Sequence, residues 1–202
     1  TRAAGTGYTF SGNSQTTAGS HTVTASLTSG YRWSDNTTGT KTFSCSIGRS
    51  TPVITLSPTS GTVVAGKTMT FTEKASVAGK FTNTSGTPSV ATVSPTSNST
   101  AVSANTNQTV TVTGVASGSS TITVGFTPTD TTNYNSAIAK TYTANVSKSA
   151  TIPTAANYCQ SGLIYNGSAQ TITKAAGTGY TFSGNSQTTA GSHTVTASLT
   201  SG

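Results

Sequence analysis

The chain has 202 residues, enough for one or two domains. Only 6% of them are Asp, Glu, Lys or Arg, against about a quarter in an ordinary soluble domain, and about two in five are Thr or Ser. The net charge of +7 comes from ten basic and three acidic residues with no run of even three basic side chains, which excludes the clustered stripe used to bind nucleic acid.

No stretch approaches the roughly eighteen apolar residues of a membrane helix, and no segment has a 3.6-residue apolar period. Short alternating runs occur throughout, with turn signals regularly spaced between them, which argues for strands rather than disorder. Thr is β-branched and fits a pleated, half-exposed surface, so it replaces Lys and Glu on the outer faces of strands. This is the composition of an extracellular all-β protein. A mildly basic solvated surface accounts for the charge, with weak attraction to an acidic polysaccharide or cell surface as a second reading.

Residues 1–50 open with a strand around Tyr8 and Phe10 and a turn at residues 11–14. Residues 21–27 alternate, with Val23, Ala25 and Leu27 on one face, and Ser29-Gly30 turns the chain. Tyr31-Arg32-Trp33 reads as a short strand, residues 34–39 as a polar loop, and residues 41–47 as a strand with Phe43, Cys45 and Ile47 on one face. These strands are too few to close a sandwich, so the segment is expected to be the back part of a domain.

Residues 51–149 carry a complete set of strand signals. Strands are expected at 53–56, 67–77, 89–93, 100–103, 108–115, 120–126 and 137–146, with a turn at 57–61 and loops at 78–88 and 128–134. Met69, Phe71, Glu73 and Ala75 share one face of the long second strand; Ile138, Tyr142, Ala144 and Val146 face inward on the last. Seven or eight short strands in about a hundred residues form the signature of an immunoglobulin-like sandwich. Residues 150–202 begin again, with a strand at 158–163 carrying Cys159, a tight Asn166-Gly167 turn, and Thr171-Ile172-Thr173.

Residues 3–30 recur letter for letter as residues 175–202, an offset of 172 positions that extends outward to Thr1/Thr173 and Arg2/Lys174. A fixed period is the mark of a repeat architecture. The expectation is a window from a longer array of 172-residue units, lacking an initiator Met, signal peptide or anchor of its own. The division is then 1–50, the C-terminal part of a small β domain; 51–149, a whole sandwich; and 150–202, the N-terminal part of the next small domain. Joining 151–202 to 31–50 across the period reconstructs that small domain. The junctions at 48–52 and 148–153 are short and end in Pro, which favours an extended, stiff link.

Residues 89–93, 110–118 and 121–124 resemble a group-2 bacterial immunoglobulin-like domain, and residues 128–137 resemble the closing segment of such repeats. Residues 165–170, 179–184 and 30–35 are similar to the MBG-like repeats of bacterial surface proteins. The resemblance implies tandem immunoglobulin-like β-sandwiches in an extended array, as in stalks, adhesins and surface-layer-type proteins. It supplies no catalytic residue. Within the reconstructed MBG-like domain, Cys159 lies on the first strand and the next unit's copy of Cys45 on the last. Cys45 and Cys159 are therefore expected to form disulfides with partners in neighbouring repeats and not with each other, the alternative being two buried free thiols.

The acidic residues are Asp35, Glu73 and Asp130, and the histidines His21 and His193 are copies of one position. Asp35 and Asp130 read as turn residues. No nucleophile motif, metal-ligand cluster or phosphate loop is present, so neither enzyme activity nor a cofactor is expected. Glu73 and Lys140 are both patterned toward the core, where an unpaired charge is costly. Three explanations stand: a buried ion pair, a register break or snorkelling, and an isopeptide bond between Lys140 and an unidentified Asn, promoted by Glu73. Asn36, Asn83, Asn98, Asn107, Asn145 and Asn166 each head an Asn-x-Ser/Thr pattern that chance also produces in so Ser/Thr-rich a chain.

The function expected is a structural repeat unit of a long extracellular fibre or stalk at a bacterial cell surface. Its partners would be neighbouring repeats. The alternative is an adhesin that binds a glycan or host-surface ligand through loops 78–88 and 128–135. A polymer of subunits exchanging strands is disfavoured, because the duplicated residues would compete for one place.

Overall fold

The computed structural model describes residues 4–200. The outermost residues of the duplication, Ala3, Ser201 and Gly202, and the flanking pair Thr1 and Arg2 lie outside the described residues. Among the described residues strands are nearly the only regular secondary structure, as the Thr-rich alternation requires.

The N-terminal segment is an antiparallel three-stranded sheet of β1 (Tyr8–Ser11), β2 (Gly19–Leu27) and β3 (Lys41–Ile47), in that order. The register sets His21 opposite Cys45 and Val23 opposite Phe43. Tyr31-Arg32-Trp33, expected as a strand, is instead part of a chain of turns. The Trp33 amide donates to the Thr37 carbonyl and the Asn36 amide to the Trp33 carbonyl, which uses the groups a strand would need. Trp33 packs on Tyr8 at 5.6 Å between ring centroids.

The central segment is a two-sheet sandwich. Its strands are β4 (Ile54–Ser57), β5 (Ser60–Val64), β6 (Thr68–Ala75), β7 (Gly79–Ser85), β8 (Ala91–Ser94), β9 (Gln108–Gly114), β10 (Gly118–Pro128) and β11 (Lys140–Ser147). One sheet runs β4-β6-β9-β8 and the other β5-β11-β10-β7; β11 pairs with β5 in parallel, and the remaining neighbours are antiparallel. The inner faces meet in one apolar core. Phe71 of one sheet stacks on Tyr142 of the other at 4.3 Å, and Phe81 leans on Phe126 at 4.8 Å. This is the all-β, immunoglobulin-like sandwich the strand spacing implied.

Four details differ from expectation. Residues 60–64, where no strand is expected and the turn at 57–61 ends, form β5. Residues 79–85, expected as loop, form β7, a strand of the core with Phe81 and Asn83 buried. Residues 100–103 contribute a single bridge from Val102 to Gly79 rather than a strand. The last strand begins at Lys140 and not at 137, so the alternation does not carry back to Ile138, which is 76% exposed.

The C-terminal segment has one helical turn, α1 (Ala155–Tyr158), and four short strands. β12 (Gln170–Thr171) pairs with β14 (Ser186–Gln187), and β13 (Tyr180–Ser183) with β15 (Thr196–Leu199). The strand expected at 158–163 is reduced to one bridge, Cys159 to Thr173. The Asn166-Gly167 turn is present: Gly167 has φ +75° and the Ser168 amide donates to Asn166 Oδ1 at 3.0 Å.

Candidate functional site

Three places hold the chemistry that the sequence singles out. The first is the buried polar pair in the sandwich. Glu73 is fully buried on β6, as its alternation with Phe71 and Ala75 dictates. Its partner is Asn83, whose Nδ2 donates to Glu73 Oε1 at 3.3 Å and to the Pro95 carbonyl at 3.2 Å. Burial pushes the Glu73 carboxyl up to about 7, against the opposing effect of the Asn83 hydrogen bond. Lys140 is exposed at the start of β11, and the one ion pair among the described residues is Lys41–Asp35, at 2.8 Å. Asn83 and Lys140 both pair in register with Val124, so a fully buried side chain on β10 stands between them. Asn83 falls in the expected loop 78–88 but lies on β7, a strand that Phe81 alone marks with an apolar inward side chain. Its burial also removes it from the glycosylation candidates.

The second place is residues 128–135, expected as a free loop. Asp130 organises it: its carboxylate accepts from the Thr132 and Asn133 amides at 3.0 Å each and from Asn133 Nδ2 at 2.7 Å. The Asn133 bonds, with that of Thr132, hold the carboxyl below its ordinary value. The ordered loop lies on the first junction. The Ser50 amide donates to the Asn133 carbonyl at 2.9 Å, and the Asn135 amide donates back to the Ser50 carbonyl at 2.8 Å. Arg49 Nε donates to the Thr132 carbonyl at 3.1 Å, and Asn133 Oδ1 accepts from the Ala18 amide at 2.7 Å. The loop is therefore a clamp between the sandwich and the segment before it. Asp35 has the same local logic in its own turn, where Lys41 and Thr37 hold its carboxyl low.

The third place is the pair of grooves that the duplicated residues line. A groove of about 940 Å³ opens beside β1–β3, walled by Tyr8, Phe10, His21, Val23, Phe43 and Cys45. A smaller one of about 280 Å³ opens in the C-terminal segment, walled by Tyr158, Cys159, Phe182, His193, Val195 and Ala197. Cys45 and Cys159 are both free and exposed. Phe43, Cys45 and Ile47 do share one face of β3, yet all three are exposed.

No group of three or more His, Cys, Asp or Glu able to hold a metal occurs among the described residues. No described helix is long and apolar enough to cross a membrane.

No family model and no curated protein matches the chain. Among solved structures, domains 4 and 5 of the S-layer protein SbsC are similar over 72% of this chain and 72% of theirs, at 26% identity and a TM-score of 0.39. The S-layer protein rSbsC(31-844) is similar over 98% of this chain and 29% of its own, at 20% identity and a TM-score of 0.39. Fibronectin(III)-like modules of Clostridium thermocellum CbhA are similar over 65% of this chain and 64% of theirs, at 10% identity and a TM-score of 0.34. TM-scores this low leave the function to be read from the chain's own geometry.

Proposed function

We propose that the chain is a repeat unit of a long extracellular fibre or stalk on a bacterial surface, without catalysis, in which group-2 immunoglobulin-like and MBG-like domains alternate. The observation that carries this reading is the clamp of residues 130–135 on residues 49–51 and on Ala18. A junction between consecutive β units is tied by backbone and side-chain hydrogen bonds instead of being left as a free linker, which suits a unit whose task is to hold a direction. The letter-for-letter repetition at 172 positions supports units that stack on nearest neighbours only, a quasi-one-dimensional object. The Thr/Ser surface and scarcity of charge support display outside the cell.

An adhesin needs loops free to meet a ligand. Residues 79–85 are instead the core strand β7, and residues 130–135 are engaged with the junction, so the fibre reading is preferred. Strands of eight to ten residues at ~3.3 Å each, plus a junction, give roughly 35–45 Å per domain, and two domains per 172-residue period give roughly 70–90 Å. Electron microscopy of chains lengthened by one and by two periods tests this. Contour length should grow by that roughly constant increment. Particles that stay compact as periods are added overturn the reading.

A further inference from the structure

The twenty-eight duplicated residues act as a control on themselves, since one sequence appears in two settings. Beside β3, the stretch from Gly19 to Leu27 is a nine-residue strand, with Val23 and Ala25 buried. Its counterpart in the C-terminal segment keeps only four strand residues, β15; there Ala197 is exposed and Leu199 is 79% exposed. The reverse holds for the aromatic residues of the neighbouring strand, on the same face. Tyr180 is 4% exposed because Tyr158 packs edge-on against it at 6.0 Å and against Phe182 at 5.6 Å, while its counterpart Tyr8 is half-buried. Each copy lacks the wall that the other has.

The cysteines fall on those two walls. Cys45 sits opposite His21 in register and lines a groove with His21, Phe10 and Val23. Cys159 lines a groove with His193, Phe182 and Val195, which are the same three residues one period later. The ring is held alike in both copies, with His21 Nε2 2.8 Å from the Thr17 carbonyl oxygen and His193 Nε2 2.8 Å from that of Thr189. Both thiols therefore face one and the same cluster from its two open sides.

We propose that the groove beside β1–β3 is the seat of residues 153–173 of the neighbouring repeat, and that a disulfide joins Cys45 to the neighbour's Cys159. Tyr158 of the incoming segment packs edge-on against Tyr8 and Phe10 as it does against Tyr180 and Phe182, and β3 supplies the strand that β15 lacks. The inference rests on the array reading, because the occupant is a repeat of this chain. Oxidation needs a disulfide oxidant such as oxidised glutathione. The two protein thiols lose two electrons and two protons, one S–S bond forms, the oxidant's S–S bond breaks, and two glutathione thiols leave.

The test uses the 202-residue chain lengthened at its C-terminus by a second copy of residues 31–50, so that the C-terminal segment receives its missing strand. After exposure to oxidised glutathione and alkylation in denaturant, intact mass should show one internal disulfide, with Cys45 either alkylated or carrying one glutathione, and the same internal disulfide when Cys45→Ser is also present. Hydrogen exchange of the added copy of residues 41–47 should show strand protection. Free thiols with protection retained overturn the disulfide; free thiols without protection overturn the completion as well. If the lengthened chain does not fold, a synthetic peptide of residues 150–173 should form a mixed disulfide with Cys45 of the 202-residue chain in preference to Cys159, and equal reaction at both overturns the proposal. A disulfide that forms while added periods fail to lengthen the particle would refute the array alone.

Discussion

Glu73→Gln isolates the cost of a carboxyl sealed inside the sandwich. Gln keeps the volume and an acceptor for Asn83 Nδ2, and carries no charge at any pH. Glu73 is fully buried, and its folded pKa of about 7 lies above the ordinary 4.5. Between those values the native state retains a proton that the unfolded chain has lost, so the native state binds more protons and stability falls as pH rises through the window. The difference corresponds to about 3 kcal/mol, fully expressed once the pH exceeds about 7 and absent below about 4.5. Urea unfolding of both proteins from about pH 4 to about pH 8 measures it. Far-UV circular dichroism is the suitable probe, because the single Trp, Trp33, lies outside the sandwich. The wild type should lose about 3 kcal/mol relative to the variant across that range. A difference that stays flat with pH, or a wild type that gains on the variant as pH rises, would refute the reasoning.

Two further substitutions probe the packing and the clamp. A Cβ at Gly79 would overlap the Thr127 carbonyl oxygen and the Phe126 ring, and the backbone oxygen has no room to retreat, so Gly79→Ala should cost about 2–3 kcal/mol in chemical denaturation. Gly39→Ala, where an added Cβ meets nothing within 4 Å, is the control and should stay within about 0.5 kcal/mol. Asn133→Ala removes the acceptor for the Ala18 amide, about 1 kcal/mol, and the exposed donor to the Asp130 carboxylate, about 1.5 kcal/mol, so the sandwich should stay folded. Amide ¹⁵N relaxation should then give separate tumbling times for β1–β3 and the sandwich, where the wild type gives one; unchanged relaxation would mean the clamp is held elsewhere.

How much the chain disclosed depended on which residues faced inward. Where Phe71, Val110, Val112, Ile122 and Val124 point into the core between exposed or half-exposed Thr residues, period-2 alternation is plain and the strands lie where expected. In β7 the inward positions are Gly79, Phe81 and Asn83, so one apolar residue had to speak for a whole strand. Pro58 and Gly61 looked like punctuation, yet β5 begins at Ser60 because β11 supplies its ladder. Tyr31-Arg32-Trp33 has strand-forming side chains, and local turn bonds override them. The clamp joins Asn133 to Ala18 across 115 positions, and nothing local announces such a bond. The local part was visible all the same: an Asp three residues ahead of an Asn in a polar loop is ordinary turn chemistry.

The parallel pairing of β5 with β11 decides how the sandwich meets force. In a fibre under tension the load enters ahead of β4 and leaves after β11. Ser60–Val64 and the strand beside it, from Thr143 to Ser147, run in one direction, so pulling the ends apart slides one along the other. Their hydrogen bonds are then loaded in shear and share the strain, instead of opening one after another as at the end of a hairpin. Mechanical strength would reside in five residue pairs at the edge of the sheet, of which Val63, Ala144 and Val146 also face the core that sets thermodynamic stability.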